Sequence, residues 1–384
     1  MPGGSIICMH NVECDAGSAV GYHYGRFPPA QLDLGDLLMP LARIVQSLTR
    51  YDERLTQLPN SELLLALLRQ RDAVVSSRME DRISTVEEVL RLEAGTNANK
   101  VDAPGRNETI EVALYARAVR QAEQHMREGY GLGDHVIRNA HQTLLSHGRG
   151  AEKAPGRYKT EQNYIGSRRH RRIDYVPIAP DRLGQGMRDL IALIDADGLH
   201  PLVVTAIAHA EFEALHPFED GNGRVGRMLI PLTLWQKGVL SAPHFFASDY
   251  FEANKDEYID RLRAVSAEDA WTAWIVFFLD GLGQQATANI EMLDRVRAHH
   301  AEMRERFRDV LRSQHFAAAV DYVFANPIFW NNHFVSTADA PKTTLQNFTS
   351  RLVDAGLLDT LVAPAGRAPG LHRFTSLIEI IDAP

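Results

Sequence analysis

The chain has 384 residues, 45% hydrophobic and 23% charged, with a formal net charge of −8. That length exceeds one ordinary core and implies two or three domains, while the composition excludes a disordered chain and the charge argues against a general polyanion binder. Its two cysteines, Cys8 and Cys14, cannot staple a fold of this size, and no apolar run approaches the roughly 20 residues that span a bilayer. The N-terminus lacks a basic start followed by an apolar stretch, so a cytoplasmic protein without a membrane partner is expected.

Residues 1–30 are rich in glycine and proline and are expected to form an irregular arm. Helical periodicity begins near Leu32 and continues through Leu41, Ile44 and Leu48. Asn60 or Ser61 is placed to cap a second helix that runs towards Glu80, and Thr85 to Glu93 reads as a third. The segment 96–107 is a polar loop. From 108 to about 289 the pattern is dominated by amphipathic helices: 108–124, 134–145, 180–196, 201–214, 224–237, 253–264 and 270–282. Residues 156–180 break it, with two short extended runs around the basic turn 168–172, and predict a lone β-hairpin.

A charged helix over 291–314 reads as a connector, with His299 and His300 solvated on it. The last unit, 316–384, combines helices near 317–324 and 342–355 with two strand-like runs flanking 364–370. That order suggests a winged helix-turn-helix. Within 313–384 four basic residues (Lys342, Arg351, Arg367, Arg373) face six acidic ones, so DNA is not an expected partner. The expected organisation is therefore 1–107, 108–290, 291–315 and 316–384, in a mainly α fold.

One segment concentrates chemistry: His216-Pro-Phe-Glu-Asp-Gly-Asn-Gly-Arg-Val-Gly-Arg227. A helix is expected to end near Leu215 and a new one to start near Gly223. Gly221, Asn222 and Gly223 at a helix start let bare N–H groups converge on an anion. Arg224 and Arg227, three residues apart, add charge on one face, and a polyphosphate is the natural ligand. Asp220 suits Mg²⁺, which takes one or two protein carboxylates together with phosphate oxygens. His216, if neutral, can accept a proton near pH 7. Each feature alone is commonplace; the ordered set is not. A metal hydrolase is disfavoured, because His209 and His216 are seven apart and no His-Glu-x-x-His occurs.

The twelve residues from His216 to Arg227 resemble the signature His-x-Phe-x-(Asp/Glu)-Gly-Asn-(Gly/Lys)-Arg-x-x-Arg of the Fic family at every fixed position. The runs 155–166 and 175–177 resemble that family's hairpin flap, and Tyr250 to Asn254 with Tyr258 resemble its nucleotide-bordering segment. The resemblance implies a helical Fic-type core that transfers AMP from ATP to Ser, Thr or Tyr hydroxyls of proteins. His216 would be the general base and Phe218 would fix the loop. Asp220 would hold Mg²⁺, and Gly221, Asn222, Gly223 and Arg224 would cradle phosphates. Arg227 would take the γ-phosphate, with Asn254 and Tyr258 on the adenine side.

The resemblance also implies partners: a target segment docked as a strand on the 156–180 flap, and a homodimer. Ser76 and Glu80 match the family's inhibitory pattern (Ser/Thr)-x-x-x-Glu-(Gly/Asn), whose glutamate would pair with Arg227, but Asp81 stands where Gly or Asn is usual. Alternatives are transfer of another phosphate-containing group, removal of AMP by the same site, or a regulator acting through the C-terminal unit.

Overall fold

A computed structural model of the chain describes residues 7–8, 19–57, 61–95, 106–167 and 172–383. Cys14, Asn60, most of the 96–107 loop and the hairpin turn 168–171 lie outside the described residues. The fold is mainly helical, as expected. Two compact units emerge, one from residues 1–52, 72–83 and 110–287, the other from 53–71, 84–109 and 288–384. Each gathers separate stretches of chain, so the units do not follow the linear boundaries read from the sequence.

At the centre of the first unit are two helices, Pro201–Leu215 and Asn222–Gln236, which pack extensively on each other. Residues 202–215 and 222–234 are buried throughout, including the polar His209, Glu211, Glu213, Arg224 and Arg227, so both helices lie in the core of the unit and carry charge into it. Proline at the first turn, after His200 as cap, starts the first of them. Pro180–Asp195, Asp134–Leu144 and Lys255–Glu268 pack around the pair. The 253–264 reading divides: Ser248–Ala253 and Lys255–Glu268 meet at Asn254, whose backbone leaves helical geometry (φ −116°, ψ 33°).

The flap is not a lone hairpin. Ile165–Ser167 and Arg172–Val176 pair antiparallel, and each outer edge carries a further strand of two residues. Ile7–Cys8 lies antiparallel to the first and Val20–Gly21 parallel to the second. Strands this short leave no alternation for a sequence reading to detect.

Helices expected at 270–282 and 291–314 are one continuous element, Trp271–Leu311. The intervening Gln284, Gln285 and Ala286 favour helix, and no proline interrupts them. In the second unit a three-stranded antiparallel sheet runs in the order Ile328–Trp330, Leu371–Arg373, Asp359–Val362. Helices Phe316–Ala325, Phe348–Asp354 and Thr375–Asp382 accompany it, and the 342–355 reading breaks into Lys342–Leu345 and Phe348–Asp354. His299 and His300 are half-buried rather than solvated: His299 stacks on Phe374 and His300 packs edge-on against Phe324. In that unit Val86–Glu93 starts with a capping box between Thr85 and Glu88. Among the described residues no helix is long and apolar enough to cross a membrane.

Candidate active site

The loop between the two central helices opens and closes on left-handed residues. His216 ends the first helix at φ 44°, ψ 61°, and Gly221 caps the second at φ 76°, ψ 9°. A histidine in that region costs free energy that the surroundings must supply, a pattern concentrated at functional sites. The loop is held from inside. Asn222 accepts the Phe218 N–H and donates back to the Phe218 carbonyl, both at 2.8 Å. Its side chain is therefore committed to shaping the turn, leaving only its backbone for an anion.

Further bracing comes from the flap side. Asn163, fully buried, donates to the carbonyls of His216 and Phe218 at 3.0 Å each. Lys159, also buried, donates to Leu215 O and to Asn163 Oδ1. Phe218 stacks on His141 with ring centroids 3.6 Å apart and planes 5° from parallel. His141 accepts the Gly156 N–H at Nδ1, so its proton is on Nε2 and is donated to Asp220 O. Burial pushes its pKa down to about 4, which keeps it neutral.

His216 is buried, and its Nδ1 faces the Glu213 carbonyl at 3.4 Å. A carbonyl only accepts, so this long contact favours a proton on Nδ1 and a lone pair on Nε2. Burial first, and the nearby Lys159 charge second, lower its pKa to about 3. The imidazole is thus in its basic form at neutral pH.

At the start of the Asn222–Gln236 helix the first backbone bond runs from Val225 N–H to Gly221 O. The N–H groups before it, at Asn222, Gly223 and Arg224, have no intrahelical acceptor and lie at the positive end of the dipole. Arg224 is fully buried, and its three guanidinium nitrogens have no hydrogen-bond acceptor among the described residues. Asp220 is an ionic neighbour at 3.6 Å. A buried cation so placed fits an anionic ligand.

Arg227, by contrast, is fully engaged. It donates to Ser76 Oγ and Ser76 O at 2.8 Å and to Glu80 Oε1 at 3.2 Å. The Glu80 carboxylate lies so close to the helix start that a Cβ on Gly223 would sit 2.1 Å from it. Asp81 does not spoil this arrangement. It takes the left-handed conformation itself (φ 58°), its N–H bonds to Arg78 O and the Arg82 N–H bonds to Ser77 O. That bond pattern is a Schellman turn with aspartate where glycine is common.

Asp220 keeps 27% of its side chain exposed, and Oδ1 accepts the Gly221 N–H. Among the described residues no cluster of three or more His, Cys, Asp or Glu could hold a metal unaided. A single carboxylate is nonetheless what Mg²⁺ uses when phosphate oxygens complete its shell.

Two residues that the resemblance sets on the adenine side make contacts within the chain. Tyr258 is 1% exposed; its hydroxyl lies 2.9 Å from His209 Nε2, while His209 Nδ1 reaches Gly226 O. It therefore braces the helix that carries Arg227. The Asn254 amide caps Tyr250 O at 2.9 Å.

Sequence reading missed Glu213 altogether. It is 8% exposed, Oε1 has no hydrogen-bond partner among the described residues, and burial raises its pKa to about 7. It lines a largely apolar recess with Ile165, Tyr175, Ala214, Ile259 and Leu262. Lys159, Asn163 and His141 were missed as well. The polar run Lys159-Thr-Glu-Gln-Asn163 ahead of a strand was the available signal for the first two; nothing local marked His141.

The paired-helix core thus sets a buried imidazole on the loop that leads to a helix start carrying a buried arginine. Comparison with known proteins gives the family. Residues 132–234 match the model of the Fic/DOC family, and residues 38–124 match that of the Fic/DOC family N-terminal region. The chain belongs to the Fic/DOC family.

It is 34% identical over 101 residues to "Protein adenylyltransferase Fic" of Nematostella vectensis, covering 26% of this chain and 22% of that one. It is 42% identical over 57 residues to a probable protein adenylyltransferase of Aquifex aeolicus, 15% of each chain. These matches span at most about a fifth of the relatives' length. A Fic family protein from Desulfovibrio desulfuricans G20 has the same fold, with TM-score 0.55 and 19% identity over 90% of this chain and 98% of that one. A Fic domain containing signaling protein from Bacteroides thetaiotaomicron follows at TM-score 0.51 and 18% identity, over 65% of this chain and 97% of that one.

Proposed function

We propose that this chain is a protein adenylyltransferase that moves AMP from ATP to a protein hydroxyl and is held inactive by its own Glu80. The observation that carries the proposal is Arg224, buried at a helix start with no hydrogen-bond partner among the described residues, just after the loop that begins at a neutral His216. A triphosphate would meet the Asn222, Gly223 and Arg224 N–H groups and the Arg224 guanidinium. Its base would enter the recess beside Glu213, and its γ-phosphate would need Arg227.

His216 Nε2 would take the proton of the incoming hydroxyl as that oxygen attacks the α-phosphorus. The bond to the bridging oxygen breaks, and pyrophosphate leaves. Phosphates near the imidazole would also draw its low pKa upward, making it a better acceptor in the complex. Held by Asp220, Mg²⁺ would supply charge neutralisation for the phosphate oxygens. The remaining contribution is positioning, which Asn163, Lys159 and Asn222 supply by fixing the loop.

Release of inhibition requires Glu80 to leave Arg227. A carboxylate at the helix start occupies the electrostatic position of a phosphate, so ATP and Glu80 compete for one cation. A target docking on the flap as a strand has a second requirement. Both hairpin edges already pair with this chain, so it would displace Ile7–Cys8 or Val20–Gly21.

Mass spectrometry after incubating Glu80→Gly protein with Mg²⁺ and ATP tests the reading. The expected product carries an adenylyl group on a hydroxyl side chain of this chain or of an added target. A phosphoryl mass in its place would assign kinase-like transfer and overturn it.

A further inference from the structure

Arg82 follows the inhibitory residues by two positions and belongs to no part of the matched signature. Its side chain is 12% exposed, and the guanidinium lies between two carboxylates. Nε is 3.1 Å from Glu111 Oε2, and Nη2 is 3.5 Å from Asp220 Oδ2. Glu111 itself is 2% exposed and comes from the Arg106–Arg127 helix, so it pins the guanidinium from below. Asp220 accepts the Gly221 N–H at its other oxygen, Oδ1, so each carboxylate oxygen has its own partner.

The Schellman turn explains the delivery. It places Glu80 and Arg82 on either side of the left-handed Asp81, so one turn sends a carboxylate to Arg227 and a guanidinium to Asp220. Both charges of the nucleotide complex then have a stand-in. Glu80 takes the place of a phosphate, and Arg82 that of the divalent cation.

We propose that Arg82 is a second inhibitory residue, which holds the Asp220 carboxylate and competes with the divalent cation that accompanies the nucleotide. The inference rests on the nucleotide-transfer reading above and adds a separate lock to it. A cation approaching Asp220 meets a resident positive charge a few ångströms away. Affinity for the metal–nucleotide complex then falls even where Arg227 is free. Full activation requires the whole turn to withdraw, not the Glu80 side chain alone.

The test is calorimetric binding of a non-hydrolysable ATP analogue to the full chain across a series of Mg²⁺ concentrations. Glu80→Gln, which removes the charged partner of Arg227 while keeping the turn, is compared with Glu80→Gln/Arg82→Gln. The double variant should reach half-maximal nucleotide binding at about ten-fold less Mg²⁺, with binding in EDTA unchanged.

An unchanged Mg²⁺ requirement overturns the proposal. So does an equal loss of affinity with and without Mg²⁺, which would make Arg82 a phosphate ligand. If Glu80→Gln itself binds no nucleotide at any Mg²⁺ concentration, the transfer reading fails, and the inference with it. Should the Gln double variant not fold, Glu80→Gln/Arg82→Lys takes its place. Lysine has one nitrogen where Arg82 uses two, so it cannot bridge both carboxylates and should lower the Mg²⁺ requirement in the same direction.

Discussion

Replacing Glu80 by glutamine removes one charge and keeps the side chain's shape, so it isolates the electrostatic part of the brake. The Glu80 Oε1–Arg227 Nη2 distance is 3.2 Å. At an effective dielectric of about 20, two unit charges at that separation attract by about 5 kcal/mol before desolvation is subtracted. Desolvation removes a large part, because Arg227 and Glu80 are 1% and 11% exposed, leaving a net of about 2–3 kcal/mol. An incoming γ-phosphate must displace that interaction. At about 1.4 kcal/mol per decade, Glu80→Gln should therefore bind MgATP about 30- to 100-fold more tightly. Isothermal titration with a non-hydrolysable analogue measures this directly. Equal affinity in both proteins, with Arg227→Ala weakening neither, would refute the competition argument.

Three other outcomes follow from the same geometry. Asp81→Gly removes the left-handed penalty and should stabilise the Schellman turn by about 1 kcal/mol, raising Tm and lowering basal modification; a lower Tm would contradict it. Asn163→Ala removes both side-chain bonds to the His216 loop and should cut kcat by about 10- to 100-fold with a smaller change in KM for ATP, so equal losses in both would deny a positioning role. Glu213 has a folded pKa raised from 4.5 to about 7, so the folded state holds its proton more tightly than the unfolded one. Its contribution is harmless below about pH 4.5 and becomes a penalty as pH rises through 7, up to about 3 kcal/mol at roughly 1.4 kcal/mol per factor of ten in proton affinity. Glu213→Gln should then raise Tm at pH 8 and leave it nearly unchanged at pH 4.5, and a gain equal at both pH values would remove the argument.

The parts of this molecule that sequence makes visible are those with short-range rules. Helix starts at Pro180 and Pro201, the turn at Gly221 to Gly223 and the flap's central strands all follow from local residue chemistry. Contacts brought together only by folding stayed hidden. Nothing near Arg82 in sequence indicates that Glu111 and Asp220 will enclose it, and nothing near His141 indicates a ring stacked on Phe218. Likewise hidden were the bonds that Tyr258 makes with His209 and Asn254 with the Tyr250 carbonyl. Asp81 could be judged only from its φ angle. Aspartate tolerates the left-handed region better than most residues, so the departure from the expected pattern leaves the turn intact.

The account depends most directly on the imidazole of His216 acting at the α-phosphorus of a bound triphosphate. Transfer of label from α-labelled ATP to protein, measured in Glu80→Gly with and without His216→Ala, tests that dependence. Strong labelling with His216 present, and its loss to background in the double variant while ATP binding is retained, is the expected result. Labelling that persists without His216 would contradict the account.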